Sequence, residues 1–98
     1  EEKRIRVGGK VAAAKILRRV PPRYPEKAIR EHLQGTVKFH VIIGKDGSIQ
    51  HLGLLSGYCS LAQEAMQAVQ QWRYPPTLLD GYPVEVDTTI DVIFRFNH

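Results

Sequence analysis

The stretch from Val84 to Phe96 restricts the fold of this chain more than any other. Its even positions are apolar residues or threonine, and its odd positions are mostly polar. A period of two residues predicts a β-strand with one buried and one solvated face. At about 3.3 Å per residue the strand would span roughly 43 Å, well beyond the shorter strand predicted over residues 36–43. Part of it must therefore pair elsewhere or remain open.

A helix and a hairpin are predicted ahead of that strand. The helix covers residues 25–34, with Pro25 at its first position and Gly35 ending it. Residues 36–43 alternate as a strand, and the turn at residues 44–47 leads into a return strand over residues 48–55. In the return strand, Ile49, Leu52 and Leu54 cannot all face the core unless an extra residue lies between Ile49 and the two leucines. We therefore predict a β-bulge near Gln50 and His51.

A second helix follows the hairpin. Ser60 and Gln63 have the spacing of a capping box, which predicts that the helix begins there. Its apolar face would carry Leu61, Ala65, Ala68, Val69 and Trp72. The prolines at 75 and 76 stop it, and Asp80-Gly81 marks a turn before the final strand.

This order of elements predicts an α+β fold, a three-stranded antiparallel sheet with two helices on one face. A right-handed crossover from the second strand to the third gives the spatial order 2-1-3, with the final strand at an edge. Residues 20–98 would form this domain. Residues 1–19 would form a basic, extended N-terminal arm, because residues 1–30 carry ten Lys or Arg against three Glu.

The residues offer little for catalysis, metals or nucleic acids. The single cysteine excludes an internal disulfide, and the four histidines lack metal-ligand spacing, although His40 and His51 could meet across the hairpin. The basic arm lacks the interleaved aromatic residues of a nucleic-acid surface. We therefore expect no enzyme activity, no catalytic residue, no cofactor, no metal site and no nucleic-acid partner.

The edge of the final strand is the feature that suggests a function. An exposed edge presents unpaired N–H and C=O groups, and Asp91 and Arg95 could serve only to protect it from unwanted pairing. The alternative is β-augmentation, in which an extended segment of another protein adds a strand there. The residues alone leave both interpretations open.

Several short motifs, in order, resemble the C-terminal domain of TonB energy transducers. The resemblance covers about residues 20–96. Its most specific parts are the Y-P-x-x-A start of the first helix and the W-R-Y-P element at residues 72–75. The others are Gly35-Thr36-Val37, Asp46-Gly47-Ser48-Ile49, Leu54-Leu55-Ser56-Gly57, Ala68-Val69 and the long closing strand.

The resemblance implies a periplasmic domain of an inner-membrane-anchored protein in a Gram-negative bacterium. Such a domain binds the TonB box, a short extended segment of TonB-dependent outer-membrane receptors, and transmits force derived from the proton gradient. ExbB and ExbD would act through an N-terminal segment absent from this sequence. Carried over by position, the pairing edge would be Asp91, Val92, Ile93, Phe94, Arg95 and Phe96, flanked by Pro21, Pro22, Arg23 and Tyr24.

Three further expectations accompany this resemblance. Trp72, Arg73, Tyr74 and Pro75 would be structural, because a Trp at a helix end closes a core. Many characterised relatives carry Gln-Pro-Gln-Tyr-Pro where this chain has Pro-Pro-Arg-Tyr-Pro, so contacts made by the amide side chains would differ. The alternative function is a cell-envelope scaffold or a peptidoglycan-contacting module, and the unpaired strand could also form a homodimer.

Overall fold

The computed structural model describes residues 3–96, so the outermost residues of both predicted segments lie outside it. Eight elements lie in one mixed sheet and three helices. In chain order they are β1 (Arg4–Arg6), α1 (Gly9–Ala13), α2 (Glu26–Arg30), β2 (Gly35–Ile43), β3 (Ile49–Ser56), α3 (Cys59–Val69), β4 (Thr77–Leu79) and β5 (Tyr82–Phe94). The strand order is β1-β5-β2-β3, and β4 pairs with the first residues of β5.

The three long strands have the predicted arrangement. β2 lies between β3 and β5. When only these three strands are numbered in chain order, this is the predicted order 2-1-3. Its ladder with β5 runs without a register shift from Gly35–Phe94 to Ile43–Val86. The ladder between β2 and β3 shifts twice, and the extra residues are Gln50 and Leu55. The bulge at Gln50 confirms the predicted one, whereas the bulge at Leu55 was not predicted.

The prediction of three strands and two helices was wrong because the N-terminal arm is folded. β1 pairs in parallel with β5 over Glu85–Asp87, and α1 follows it. The arm therefore contains a strand and a helix and is not extended throughout. Its apolar residues Ile5, Val7, Ala12 and Ile16 pack on the core. The arm docks on the flank of β5 because docking buries these apolar side chains.

Both predicted helix starts need correction. Pro25 has an extended conformation (φ −62°, ψ 138°) and occupies the N-cap position, so α2 begins at Glu26. The helix ends at Arg30, well before the predicted end at Gly35. The chain leaves that helix through His32, whose φ is 54°. The helix α3 begins at Cys59 after Tyr58, and no side chain caps it. The capping-box prediction was wrong because Ser60 already lies within the helix.

The core lies between the sheet and the helices. Alternate residues of β5 from Val84 to Phe94 are buried, as the period of two predicted. Most of them share one core with the predicted apolar side of α3, whose members Leu61, Ala65, Ala68 and Val69 are all buried. Between residues 3 and 96, no helix has the length and apolar character needed to cross a membrane.

Candidate binding edge

The outer flank of β5, the side away from β2, is divided into an occupied part and an open part. Val7 N–H donates to the Asp87 carbonyl at 3.0 Å, and Glu85 N–H donates to the Lys3 carbonyl at 3.2 Å. These bonds show that Glu85 and Asp87 direct their peptide groups toward β1. Because alternate residues of a strand point to opposite sides, Asp91 and Ile93 direct theirs to the same outer flank.

The helix α1 ends the occupied part at Thr89. Gly9 packs so closely there that a Cβ on it would lie 2.8 Å from the Thr89 hydroxyl oxygen and 3.0 Å from the Thr89 carbonyl oxygen. Beyond this point, no backbone group of residues 3–96 pairs with the outer flank of Asp91 or Ile93. Ile93 is 54% exposed. We call residues 91–94 on this flank the free edge.

The predicted edge residues divide into two groups. Val92 and Phe94 are buried, and their peptide groups face β2. Asp91 and Ile93 supply the outward groups, and the Asp91 carboxylate lies 3.9 Å from the Lys38 ammonium. Arg95 is exposed beyond the end of β5. Sequence alternation alone gives the buried face, but the direction of the peptide groups had to be read from the ladder.

The sheet has a second unpartnered flank, along β3, and it is less regular. Within the described chain β3 pairs with β2 alone. The bulges at Gln50 and Leu55 interrupt this short strand. Bulges bend a strand and break its register, which is one way proteins protect an edge from pairing. The free edge of β5 has no such irregularity, so it is the better template for an added strand.

Tyr24 connects the proline-rich loop to the C-terminal end of β5. Its ring stacks on Phe96, with centroids 5.1 Å apart and planes 12° from parallel. It meets Phe94 edge to face at 5.4 Å, and its hydroxyl donates to the Leu33 carbonyl. Phe96 N–H also donates to the side-chain oxygen of Gln34 at 2.8 Å. The structure thus brings Tyr24 together with two of the predicted edge residues.

The rest of the proline-rich loop is only loosely constrained by its surroundings. Pro21 and Arg23 are exposed, and Pro22 is half-buried. No ion pair or side-chain hydrogen bond within the described chain involves Arg23. The Arg23 guanidinium is therefore available to solvent or to a partner.

Three of the four residues in the W-R-Y-P element contact the arm, the residue that follows it or the hairpin turn. Trp72 is buried and its indole N–H donates to the Val20 carbonyl at 2.8 Å. Arg73 exchanges backbone hydrogen bonds with Arg18 at 3.0 and 3.1 Å. Tyr74 N–H donates to the Gly47 carbonyl at 2.9 Å, and burial raises the pKa of Tyr74 to about 12. These contacts join the segment after α3 to residues 18 and 20 and to the turn between β2 and β3.

A cavity of about 250 Å³ lies beside Thr89, Ile90 and Asp91, next to the free edge. We call it the edge cavity. Trp72 and Tyr74 line it together with the arm residues Gly9, Lys10, Ala13, Ile16 and Arg19. Sequence reasoning missed it, because its walls are brought together only by docking of the arm. The basic charge of residues 1–30 was the one available signal.

The histidine pair predicted across the hairpin is present. The rings of His40 and His51 lie 5.5 Å apart, and His40 Nε2 is 2.8 Å from Asp87 Oδ1. Across residues 3–96, no group of three or more His, Cys, Asp or Glu side chains is arranged to hold a metal ion. Cys59 is an exposed free thiol.

Comparison with known proteins gives one consistent result. Residues 20–96 match the family model of the Gram-negative bacterial TonB protein C-terminal domain. Protein TonB of Vibrio cholerae is 34% identical over 84 residues, covering 84% of this chain and 34% of that protein. Protein TonB of Klebsiella pneumoniae is 31% identical over 85 residues, covering 85% and 33%. The chain thus spans about a third of the length of these relatives.

The fold agrees with a solved structure of the same kind. The solution NMR structure of the Pseudomonas aeruginosa TonB C-terminal domain has a TM-score of 0.71 and 30% sequence identity, covering 86% of this chain and 87% of that one. The chain therefore belongs to the TonB C-terminal domain family, whose proteins are energy transducers of the cell envelope and not enzymes.

Proposed function

We propose that this domain binds the TonB box of a TonB-dependent outer-membrane receptor by strand addition at the free edge of β5. The observation that carries the proposal is that the outward-facing backbone groups of Asp91 and Ile93 have no backbone partner within residues 3–96, although the strand is regular there. Each offers one N–H donor and one C=O acceptor to an added strand.

The surroundings of the free edge support a short partner segment. The α1 contact at Thr89 closes one end, and the aromatic pair Tyr24 and Phe96 lies at the other. Between them the edge offers only a few residues of ladder. Main-chain bonds there would provide affinity for any extended segment, and side-chain contacts with the loop at Pro21–Tyr24 would provide selectivity.

We further propose the cellular setting of this interaction. The domain would lie in the periplasm as part of an inner-membrane-anchored protein, with ExbB and ExbD acting through an N-terminal segment. Force derived from the proton gradient would then reach the receptor through β5. Family membership supports this setting, and the position of the free edge on the long final strand supports the route of the force.

Substitution of Ile93 tests the proposal. Ile93→Pro removes an N–H that points away from β2, so the ladder with β2 keeps its bonds. Ile93→Thr is the matched control, because it changes the side chain but keeps the N–H. For a short synthetic peptide carrying a TonB box, we expect the proline variant to bind at least about fivefold more weakly, the loss of about 1 kcal/mol for one hydrogen bond. The threonine variant should bind nearly as tightly as the original chain.

NMR titration of the ¹⁵N-labelled domain shows where the peptide binds. Peptide binding should shift the amide signals of Asp91 and Ile93 first. Shifts confined to residues 3–19, or equal binding by both Ile93 variants, would reject strand addition at this edge. Sedimentation of the free domain in the same buffer distinguishes a second copy as the occupant, because a homodimer would depend on protein concentration and dissociate as peptide is added.

A further inference from the structure

The edge cavity lies where an added strand would place a side chain. Ile90, which lines the cavity, belongs to the buried face of β5. A strand paired with Asp91 and Ile93 continues the sheet, so its side chains alternate between the buried face and the solvated face. The side chain that falls beside Ile90 on the buried face would enter the cavity.

The cavity is lined by donors that have no ion-pair or hydrogen-bond partner within residues 3–96. Lys10 and Arg19 form no ion pair within the described chain, and Tyr74 has no hydrogen-bond partner there for its hydroxyl. With a pKa raised to about 12, Tyr74 remains a protonated donor at neutral pH. The one carboxylate in the lining belongs to Asp91, which lies near Lys38. The lining therefore carries two cationic side chains, Lys10 and Arg19, against the one carboxylate of Asp91.

The position of Arg19 favours a planar anionic group. Its guanidinium carbon lies 5.1 Å from the centroid of the Trp72 ring, an arrangement that limits the directions of its N–H groups. A guanidinium offers paired donors that match the two oxygens of a carboxylate. Ala13 and Ile16 supply apolar surface in the same lining for the methylene groups that carry such a carboxylate.

We propose that the edge cavity binds the carboxylate of an aspartate or glutamate side chain in the segment that adds to β5, with Arg19 and Lys10 as the cationic partners. This inference rests on the proposed function, because strand addition delivers the side chain. It gives the N-terminal arm a part in partner selection. The arm residues of the lining precede residue 20, where the family match begins, so half of the lining and both cationic side chains lie outside the matched segment.

A peptide series tests the inference. The probe is a short synthetic TonB-box peptide in which each position in turn carries glutamate or its neutral isostere glutamine. We expect one position at which glutamate binds about fivefold more tightly than glutamine, the upper range for a partly exposed ion pair. Arg19→Gln should remove most of that preference. Arg18→Gln is the matched control, because it makes the same charge change at the adjacent residue, which does not line the cavity.

The outcomes distinguish failure of the carboxylate subsite from failure of strand addition at the free edge. If peptides shift the amides of Asp91 and Ile93 but show no position-dependent preference for glutamate, the carboxylate subsite is overturned and strand addition stands. The same conclusion follows if Arg18→Gln and Arg19→Gln weaken binding equally, because general attraction by the basic arm would then explain the effect. If no peptide of the series shifts those two amides, the inference and the proposed function both fail.

Discussion

Replacement of Gly47 by alanine should destabilise the domain through one contact. Gly47 lies in the turn between β2 and β3 with φ +87°, and its carbonyl accepts a hydrogen bond from Tyr74 N–H at 2.9 Å. A Cβ at this position would overlap the Tyr74 carbonyl oxygen and lie 2.8 Å from the carbonyl carbon. The turn and the segment after α3 would have to separate. Gly81, with φ +83° and nothing within 4 Å of such a Cβ, is the matched control.

The expected losses follow from these two environments. The positive φ costs alanine about 1 kcal/mol at either position. At Gly47 the loss of the bond to Tyr74 adds about 1 kcal/mol, and looser packing of the Tyr74 side chain adds a similar amount. We expect Gly47→Ala to lower the free energy of unfolding by about 3 kcal/mol and Gly81→Ala by about 1 kcal/mol. Urea unfolding, followed by the fluorescence of the single Trp72, measures both. Equal losses would refute the claim that the Gly47 contact joins the hairpin to the W-R-Y-P element.

Three other predictions concern the contacts around the arm and the loop. Trp72→Phe removes the donor to Val20 and should lower the free energy of unfolding by about 2 kcal/mol, with faster proteolysis of the arm as a second readout. Tyr24→Phe keeps the stacked ring but loses the bond to Leu33, and urea unfolding should show a loss of about 1 kcal/mol. Because the folded-state pKa of Tyr74 is about 12, above its ordinary value of 10.0, its tyrosinate is disfavoured in the folded state. Stability should therefore fall as pH rises from about 10 to 12, and this dependence should be weaker in Tyr74→Phe.

The central sheet was predictable because its physical signals are local. Alternation of apolar residues specifies the buried face of β5, and the interruption of that alternation near Gln50 in the return strand specifies a bulge. The docked arm was not predictable in the same way. Ile5 and Val7 are the apolar residues of the predicted extended stretch that pack on the core, and such a short apolar pattern does not distinguish a docked strand from a solvated segment.

The binding edge was only partly predictable for a related reason. The length of the final strand showed that part of it had to pair elsewhere or remain open, and it did not distinguish these two outcomes. Most residues of β5 that extend beyond β2 pair with β4, whereas the free edge lies on the opposite flank. The extent of the free edge depends on where β1 ends and on the close contact of Gly9 with Thr89. The edge cavity depends on tertiary docking as well, since Arg19 reaches Trp72 only in the folded chain.

Amide hydrogen exchange along β5 tests the central claim most directly. In the free domain, Val92 and Phe94 should exchange slowly, because their N–H groups face β2, whereas Asp91 and Ile93 should exchange rapidly from the free edge. A bound TonB-box peptide should slow exchange at Asp91 and Ile93 by more than about tenfold, the protection expected when an opening now costs at least about 1.4 kcal/mol more. Slow exchange at both residues before peptide is added, or no change at either when it is bound, would contradict strand addition.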